Sequence, residues 1–346
     1  MATSYFCTNS SGSFSAADGS DPTAGNSAND GTGRYMRVGW PATGLHLPLG
    51  SSRGLALDNS PLTWVTPAIA PPADFWTHLQ LWRAYSASYD QAFLKFYDAS
   101  GVARLMVVST TTGLEIVTRN AAGTVAILAT STSQIPTYSV SELNVHLNYA
   151  TSGGVTLYGP LGGVLISYTG NVTTDGVTSI VRVGFGVPGG SGGFDGNLSE
   201  INIQDTDTRN CGVLSMPITG AGVVNSFDGG SYTDVNSAGY DDTHYLTSLT
   251  AGEQFLGLTA PVVPSGSWAV AGVSLAMRAQ VSASGGPQHS QLLLRTNDGV
   301  THVGGTLAPG PYFGNFAEMH AVNPSTGVPW TVSELSGVQI GCQSAA

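Results

Sequence analysis

The stretch FLKFYDASGVARLMVVSTTTGLEIVTRNAAGTVAILA, residues 93–129, decides the fold class. It breaks into short apolar or alternating runs, FLKFY, RLMVV, LEIVT and VAILA, separated by DASG, STTTG and NAAG. Gly, Asn, Asp and Ser between such runs are turn chemistry, and no 3.6-residue period links one run to the next. Consecutive strands joined by tight turns predict an antiparallel sandwich or barrel.

The same texture continues outward. FWTHLQLW precedes the stretch, and LNVHLNY, VTLYG, VLISY, SIVRVGFG and LSEINIQ follow it. In SIVRVGFG, Val181, Val183 and Phe185 alternate with Ile180, Arg182 and Gly184, which marks a half-buried strand. Residues 1–33 are polar and full of turn formers, and read as an extended arm. After DTDTRNCG the texture changes to the long acidic run SFDGGSYTDVNSAGYDDTHYL, then to new strand candidates in WAVAGVSLAMRAQV, SQLLLRT and VQIGC. The expected fold is all-β: an arm over 1–33, a β-sandwich over 34–211 and a second, jelly-roll-like β-sandwich module over 212–346. SVSEL (139–143) and TVSEL (331–335) each place a hydroxyl residue, Ser139 or Thr331, three positions before Glu142 or Glu334. That is capping-box spacing, and it predicts one helical turn feeding a strand in both places.

Charge limits the partners. Among 346 residues, 22 are acidic and 11 basic, for a net charge of −11, and Lys95 is the only lysine. A chain without a basic stripe is not expected to hold nucleic acid or an anionic membrane surface, and no apolar run reaches the length of a membrane span. Cys7, Cys211 and Cys342 are odd in number and far apart, so free thiols are expected, not a disulfide framework or a zinc site. The N-terminal MATSYFCTNSSGSF has neither the charged nor the apolar segment of a signal peptide. Yet Gly/Ser/Thr-rich, lysine-poor β chains suit the outside of cells. A virion, made in the host cytoplasm and released by lysis, reconciles the two.

FWTHLQLWRAY is the one stretch that suggests a binding face. On a strand, Phe75, Thr77, Leu79 and Leu81 share one side, and Trp76, His78, Gln80 and Trp82 the other. Two flat aromatics beside two hydrogen-bonding groups suit a sugar ring. The same residues also suit a strand covered on both faces, its second cover being the N-terminal arm or a neighbouring subunit. Asp205 and Asp207 in DTDTR, with Asp241 and Asp242 in YDD, are candidates for Ca²⁺, or simply solvated turn acids; no other cofactor is expected. HxH, HExxH, GxSxG and phosphate-loop patterns are missing. The glycine-rich GFGVPGGSGG follows a strand but opens no helix, so it reads as a hairpin.

From GRYMRVGW through FWTHLQLW, FLKFYDASG, LNVHL, VTLYGPLGGVLISYTG and VTSIVRVGF to LSEINIQDTDTR, residues 34–210 resemble the concanavalin A-like lectin/glucanase sandwich. The resemblance is strongest to laminin-G-like versions in structural proteins of tailed bacteriophages. The remainder, ending NPSTGVPWTVSELSGVQIG, resembles a second β module that accompanies such domains in phages and gene-transfer agents. Laminin-G-like domains often carry Ca²⁺ at a rim. Retaining glucanases of this fold use a strand reading Glu, apolar, Asp, apolar, Glu, whose first Glu is the nucleophile and whose last is the acid. In EINIQD (200–205) Glu200 matches the first position, but Asn202 and Gln204 stand at the next two, and Asp205 points to the opposite face of a regular strand. Retaining hydrolysis needs two carboxyl groups about 5 Å apart. Glu200 is therefore expected to be structural, paired with Arg182 or Arg209, and no residue is assigned a catalytic role.

These readings converge on a non-enzymatic component of a phage or phage-like particle, exposed on the virion as a decoration, head spike, fibre or tail-tip element. Its expected partners are other virion proteins and further copies of itself, with host surface polysaccharide as a third. The alternative is a carbohydrate-binding, receptor-recognising lectin. A glycoside hydrolase ranks last.

Overall fold

The computed structural model describes residues 4–8, 15–16, 55–56, 64–83, 91–137, 140–186, 196–209, 211–214, 216–235, 244–261, 263, 266–281, 286–311 and 314–345. Strands are numbered in chain order. One seven-stranded antiparallel sheet runs β1 (Ser4–Thr8), β14 (Gly196–Gln204), β5 (Asp74–Arg83), β10 (Val140–Asn148), β11 (Gly153–Tyr158) and β12 (Val164–Gly170), with β3 (Leu55–Ala56) also pairing with β14. A second runs β2 (Ser15–Ala16), β4 (Trp64–Val65), β13 (Arg182–Phe185), β6 (Gln91–Tyr97), β7 (Ala103–Ser109), β8 (Leu114–Arg119) and β9 (Val125–Ser131).

The two sheets close over one apolar layer. Leu79, Leu81, Val145, Leu147 and Ile203 of the first meet Leu94, Phe96, Leu105, Val107 and Ile116 of the second. Phe75 and Phe96 cross edge to face at 6.0 Å. The hairpin series over 93–129 is present as read: β6, β7, β8 and β9 pair in succession. A five-stranded sheet, β15 (Ile218–Asn225), β16 (Gly252–Leu258), β21 (Gln339–Ala345), β18 (His289–Arg295) and β19 (Thr301–Leu307), and the hairpin of β17 (Val273–Ala279) with β20 (Gly314–His320) complete an all-β chain. Their smaller core joins Leu275, Leu292, Leu294, Trp330, Leu335 and Val338.

The two capping-box readings part company. Over 331–335 a 3-10 turn, Val332–Leu335, forms, and the Thr331 N–H donates to Glu334 Oε2 at 2.6 Å. At 139–143 no helical turn forms: Val140–Asn148 is strand, Glu142 included, while Ser139 lies outside the described residues. The reason is tertiary. Leu143, Val145 and Leu147 recur every second residue and are fully buried, and β10 pairs with β5 along its whole length and with β11 from Asn144 onward.

The arm reading also needs correction at residues 4–8. They form the edge strand β1 on β14, with Ser4 opposite Gln204 and Phe6 opposite Ile203. Phe6 is 4% exposed and belongs to the main core, a stretch of the polar N-terminus hiding one large apolar anchor. GRYMRVGW lies outside the described residues. Deleting a buried phenyl ring loses both its transfer energy and the packing around it, so Phe6→Ala is expected to lower unfolding free energy by about 3 kcal/mol in denaturant titration. A midpoint unmoved by this substitution would place β1 outside the core.

Candidate functional site

The alternation read in β5 is present. Phe75, Thr77, Leu79 and Leu81 are buried toward the opposing sheet, while Trp76, His78 and Gln80 point to the other side. That second side is not open. His78 is 0% and Gln80 6% exposed, and only Trp76 keeps a half-buried surface. His78 and Gln80 therefore present no surface to a sugar, contrary to the reading of this face as a glycan platform. Trp82 lies in β5 opposite Val140 and Asn197, but its side chain falls outside the described residues.

The cover is the chain's own segment following β14. Gln204, the last residue of that strand, donates from Nε2 to the Thr206 and Asp207 carbonyls at 3.2 and 3.3 Å and contacts Cys211 Sγ at 3.1 Å. The Thr208 hydroxyl donates to Asn144 Oδ1 at 2.8 Å, and His78 Nδ1 lies 3.0 Å from the same oxygen. Asn202 donates to Gln204 Oε1 at 3.2 Å and accepts from the Ser4 hydroxyl at 2.9 Å. The two amides standing where a glucanase would carry carboxylates thus tie the sheet to residues 206–211 and to β1.

At the rim of this face an aromatic stack forms. The Trp76 ring lies 4.4 Å from His146 at 9° and 5.5 Å from Tyr158 at 19°. Arg209 sits 5.5 Å from the Trp76 centroid and 4.8 Å from that of Tyr158. Its guanidinium is steered there by Asp207, which accepts from Nε at 2.9 Å and Nη2 at 2.5 Å. His146 Nε2 is 2.6 Å from Asp74. The partner foreseen over Trp76 is therefore intramolecular.

Glu200 occupies the least ordinary position. The register between β14 and β5 slips by one residue between Ser199 and Asn202, a bulge, and Glu200 takes a left-handed φ of 52°. A left-handed glutamate costs about 1 kcal/mol relative to an extended one. The carboxyl is reached by the Val213 backbone N–H and by the charge of Glu142, which puts it on the covered polar side. Burial, with Glu142 adding to it, pushes its pKa up to about 9 although Val213 opposes the shift. It is a neutral acid at pH 7. The expected pairing with Arg182 or Arg209 does not describe it: Arg209 is taken by Asp207, and Arg182 lies on β13 of the other sheet.

Glu142 is the residue that sequence reading took only for a helix cap. It stands on β10 opposite Gln80, 3.9 Å from His78 Nδ1, and accepts from Asn144 Nδ2 at 3.3 Å. Burial lowers the His78 pKa to about 4, so the imidazole too is neutral at pH 7. The face therefore gathers a neutral acid at Glu200, the half-buried side chain of Glu142 and a neutral imidazole at His78.

The cation candidates do not assemble. Both Asp207 oxygens are engaged by Arg209, Asp205 is a half-buried neighbour of Tyr5, and among the described residues no three His, Cys, Asp or Glu side chains form a metal-holding group. Asp241 and Asp242 lie outside the described residues. Cys211 and Cys342 are free thiols.

No family model matches this chain, and no curated protein matches it. Among solved structures, domain 4 of AbnA, a GH43 extracellular arabinanase from Geobacillus stearothermophilus complexed with arabinotriose, aligns at 15% identity and a TM-score of 0.32, over 45% of this chain and 71% of that one. A ligand binding domain of botulinum neurotoxin serotype D, complexed with N-acetylneuraminic acid, aligns at 9% and 0.35, and this chain spans only 39% of its length. The cellulose induced protein Cip1 aligns at 17% and 0.36, over 47% and 84%. These are partial likenesses, and what the site can do follows from its own geometry.

Glu200 makes that geometry measurable. The folded chain holds its proton up to about pH 9, while an exposed glutamate releases it near 4.5. Its contribution to stability is thus intact below that window and is lost as pH rises through it, by roughly 1.4 kcal/mol per pH unit. Glu200→Gln is expected to be the more stable protein at pH 8 and to match the wild type near pH 4.5. A stability difference that does not change between pH 5 and 9 would overturn the burial of this carboxyl.

Proposed function

We propose that this chain is a non-enzymatic β-sandwich component of a phage-type particle, exposed on its surface. The observation that carries the non-enzymatic part is the closure of the polar face. Glu200 is 1% exposed, Asn202 and Gln204 are committed to hydrogen bonds within the chain, and the Thr208 hydroxyl is bonded to Asn144 on the same face. A glycosidase needs one protonated and one ionised carboxyl group with the scissile bond between them. A scissile bond would have to reach Glu200, which is 1% exposed. The particle setting is supported by the low-charge, Gly/Ser/Thr-rich composition with a single lysine, and by the laminin-G-like resemblance of residues 34–210.

Glycan recognition is the second reading, favoured by the half-buried Trp76 and Tyr158 at the rim. It would use ring edges beside Arg209, not the strand face as a whole. Its signature separates it from a packing role. If the stack is structural, Trp76→Ala lowers the thermal midpoint and leaves binding to host polysaccharide as it was. If it is a glycan contact, the same substitution abolishes binding with little thermal effect.

Two experiments test the main proposal. Purified protein incubated with β-glucans and bacterial surface polysaccharides is expected to release no reducing ends. Release that disappears in Glu200→Gln or Glu142→Gln would establish a hydrolase instead. Immunogold labelling of particles from the producing cells is expected to decorate their surface, and unlabelled particles would refute that placement.

A further inference from the structure

The smaller core is closed along one edge by ionisable groups instead of apolar ones. Its two layers are the five-stranded sheet and the hairpin of β17 with β20, joined through Leu275, Leu292 and Leu294. On β20, Glu318 stands opposite Leu275 and His320 opposite Val273, so both project toward the five-stranded sheet. On β19, His302 stands opposite Leu294 and projects toward the hairpin. Gly304 makes room for the meeting, because a Cβ there would overlap the Glu318 carboxylate. Glu318 Oε1 lies 3.5 Å from His320 Nε2, and His320 is only 14% exposed. His302 Nε2 is buried and meets no hydrogen-bond partner among the described residues. The His320 carbonyl accepts from the Trp330 indole at 3.1 Å, which pins its backbone to the core.

Other charges on the neighbouring elements stand away from this contact. Arg278 on β17 follows Met277, which packs on the core, and so faces the other side of the hairpin. Arg295 on β18 follows Leu294 and likewise faces away, with Nη1 3.3 Å from the Thr301 hydroxyl. His289 is exposed at the opposite end of β18. Glu334 is taken by Thr331 and Asn323, and Asp298 by Thr296 and Ser325. On β21 the one titratable group is the Cys342 thiol, which burial pushes up to about 12. β1, which lies against both hairpin strands, carries Tyr5 and Cys7 and no group that gains charge in acid.

An uncharged imidazole can rest at either position. One added proton is answered by Glu318. A second, on the other imidazole, is not: one carboxylate cannot offset two cations, and His302 Nε2 has no acceptor. We propose that Glu318, His302 and His320 form an acid-released latch, which holds the β17–β20 hairpin on the five-stranded sheet at neutral pH and loosens it in mild acid. Burial, with His302 adding to it, lowers the His320 pKa below the ordinary 6.5. Its contribution to stability is therefore present above that value and lost as pH falls below it. Burial raises the Glu318 pKa above the ordinary 4.5, so its contribution has the opposite sense and is fully present only below that value. The loosening is thus confined to mild acid, roughly between pH 6.5 and 4.5. Because the hairpin also lies against β1, the edge strand of the first sheet, its release weakens the join between the two cores. The inference stands whether or not the particle reading holds.

Hydrogen–deuterium exchange of the full chain, read by mass spectrometry and corrected for the pH dependence of chemical exchange, tests it. Peptides covering 273–279 and 314–320 are expected to lose protection several-fold between about pH 7 and 5.5. His78 in the first core also destabilises the chain in acid, so the variants assign the effect. His320→Gln and His302→Gln each remove one of the two competing charges and are expected to abolish most of the loss in these peptides. Glu318→Gln removes the answering negative charge and is expected to enlarge it. His289→Gln, at the exposed histidine of β18, is expected to respond as the wild type does. Should His320→Gln fail to fold, His302→Gln decides alone. The proposal is overturned by a hairpin equally protected at both pH values, by a loss that persists undiminished in the His302 and His320 variants, or by His289→Gln abolishing it as well.

Discussion

A polar sheet face can leave water only if its groups find other partners, and the segment after β14 supplies them. Gln204 bonds to the backbone of residues 206 and 207, and Thr208 to Asn144. An unmet buried donor or acceptor costs roughly 1 to 3 kcal/mol, so this short connector decides whether the polar side of the first sheet is a stable interface or a wet cleft. Arg209 completes the closure at the rim, laid over Trp76 and Tyr158 and held by Asp207.

The protonation states follow from that closure. Glu200 is neutral because burial penalises its charged form, and His78 is neutral for the same reason with opposite sign. The local structure at Glu200 shows how the chain accommodates a buried acid: the bulge at Ser199–Asn202 turns the residue into a left-handed conformation within reach of the Val213 N–H. What looks in the sequence like a catalytic strand with two letters changed is, in the fold, a strand whose amides and one acid serve to fasten a connector.

How much of this was legible in the sequence depends on range. Period-two alternation and turn residues act over a few positions, and they revealed the hairpins of 93–129 and the two sides of β5. The capping spacing at 139–142 was equally local and misled, because β10 is set by its neighbours on both sides and not by its own termini. Phe6 sat in a polar stretch whose partner, β14, comes about 200 residues later. Glu142 carried only the capping signal, since its place near His78 arises from the pairing of β10 with β5. That this face could be covered was one reading of its residue types, with the N-terminal arm or a neighbouring subunit as the cover; that Arg209 of the DTDTR stretch would lie over Trp76 was not foreseen.

The claim on which the rest hangs is that residues 205–213 seal this face in solution, and the Glu200 carboxyl reports on it directly. Carbon-13 NMR of side-chain-labelled glutamate, assigned by loss of one resonance in Glu200→Gln, follows its titration. A carboxyl that stays protonated through neutral pH and titrates near pH 9 is the predicted result. Titration near the ordinary 4.5 would show that water reaches the acid, and that the face is a cleft after all.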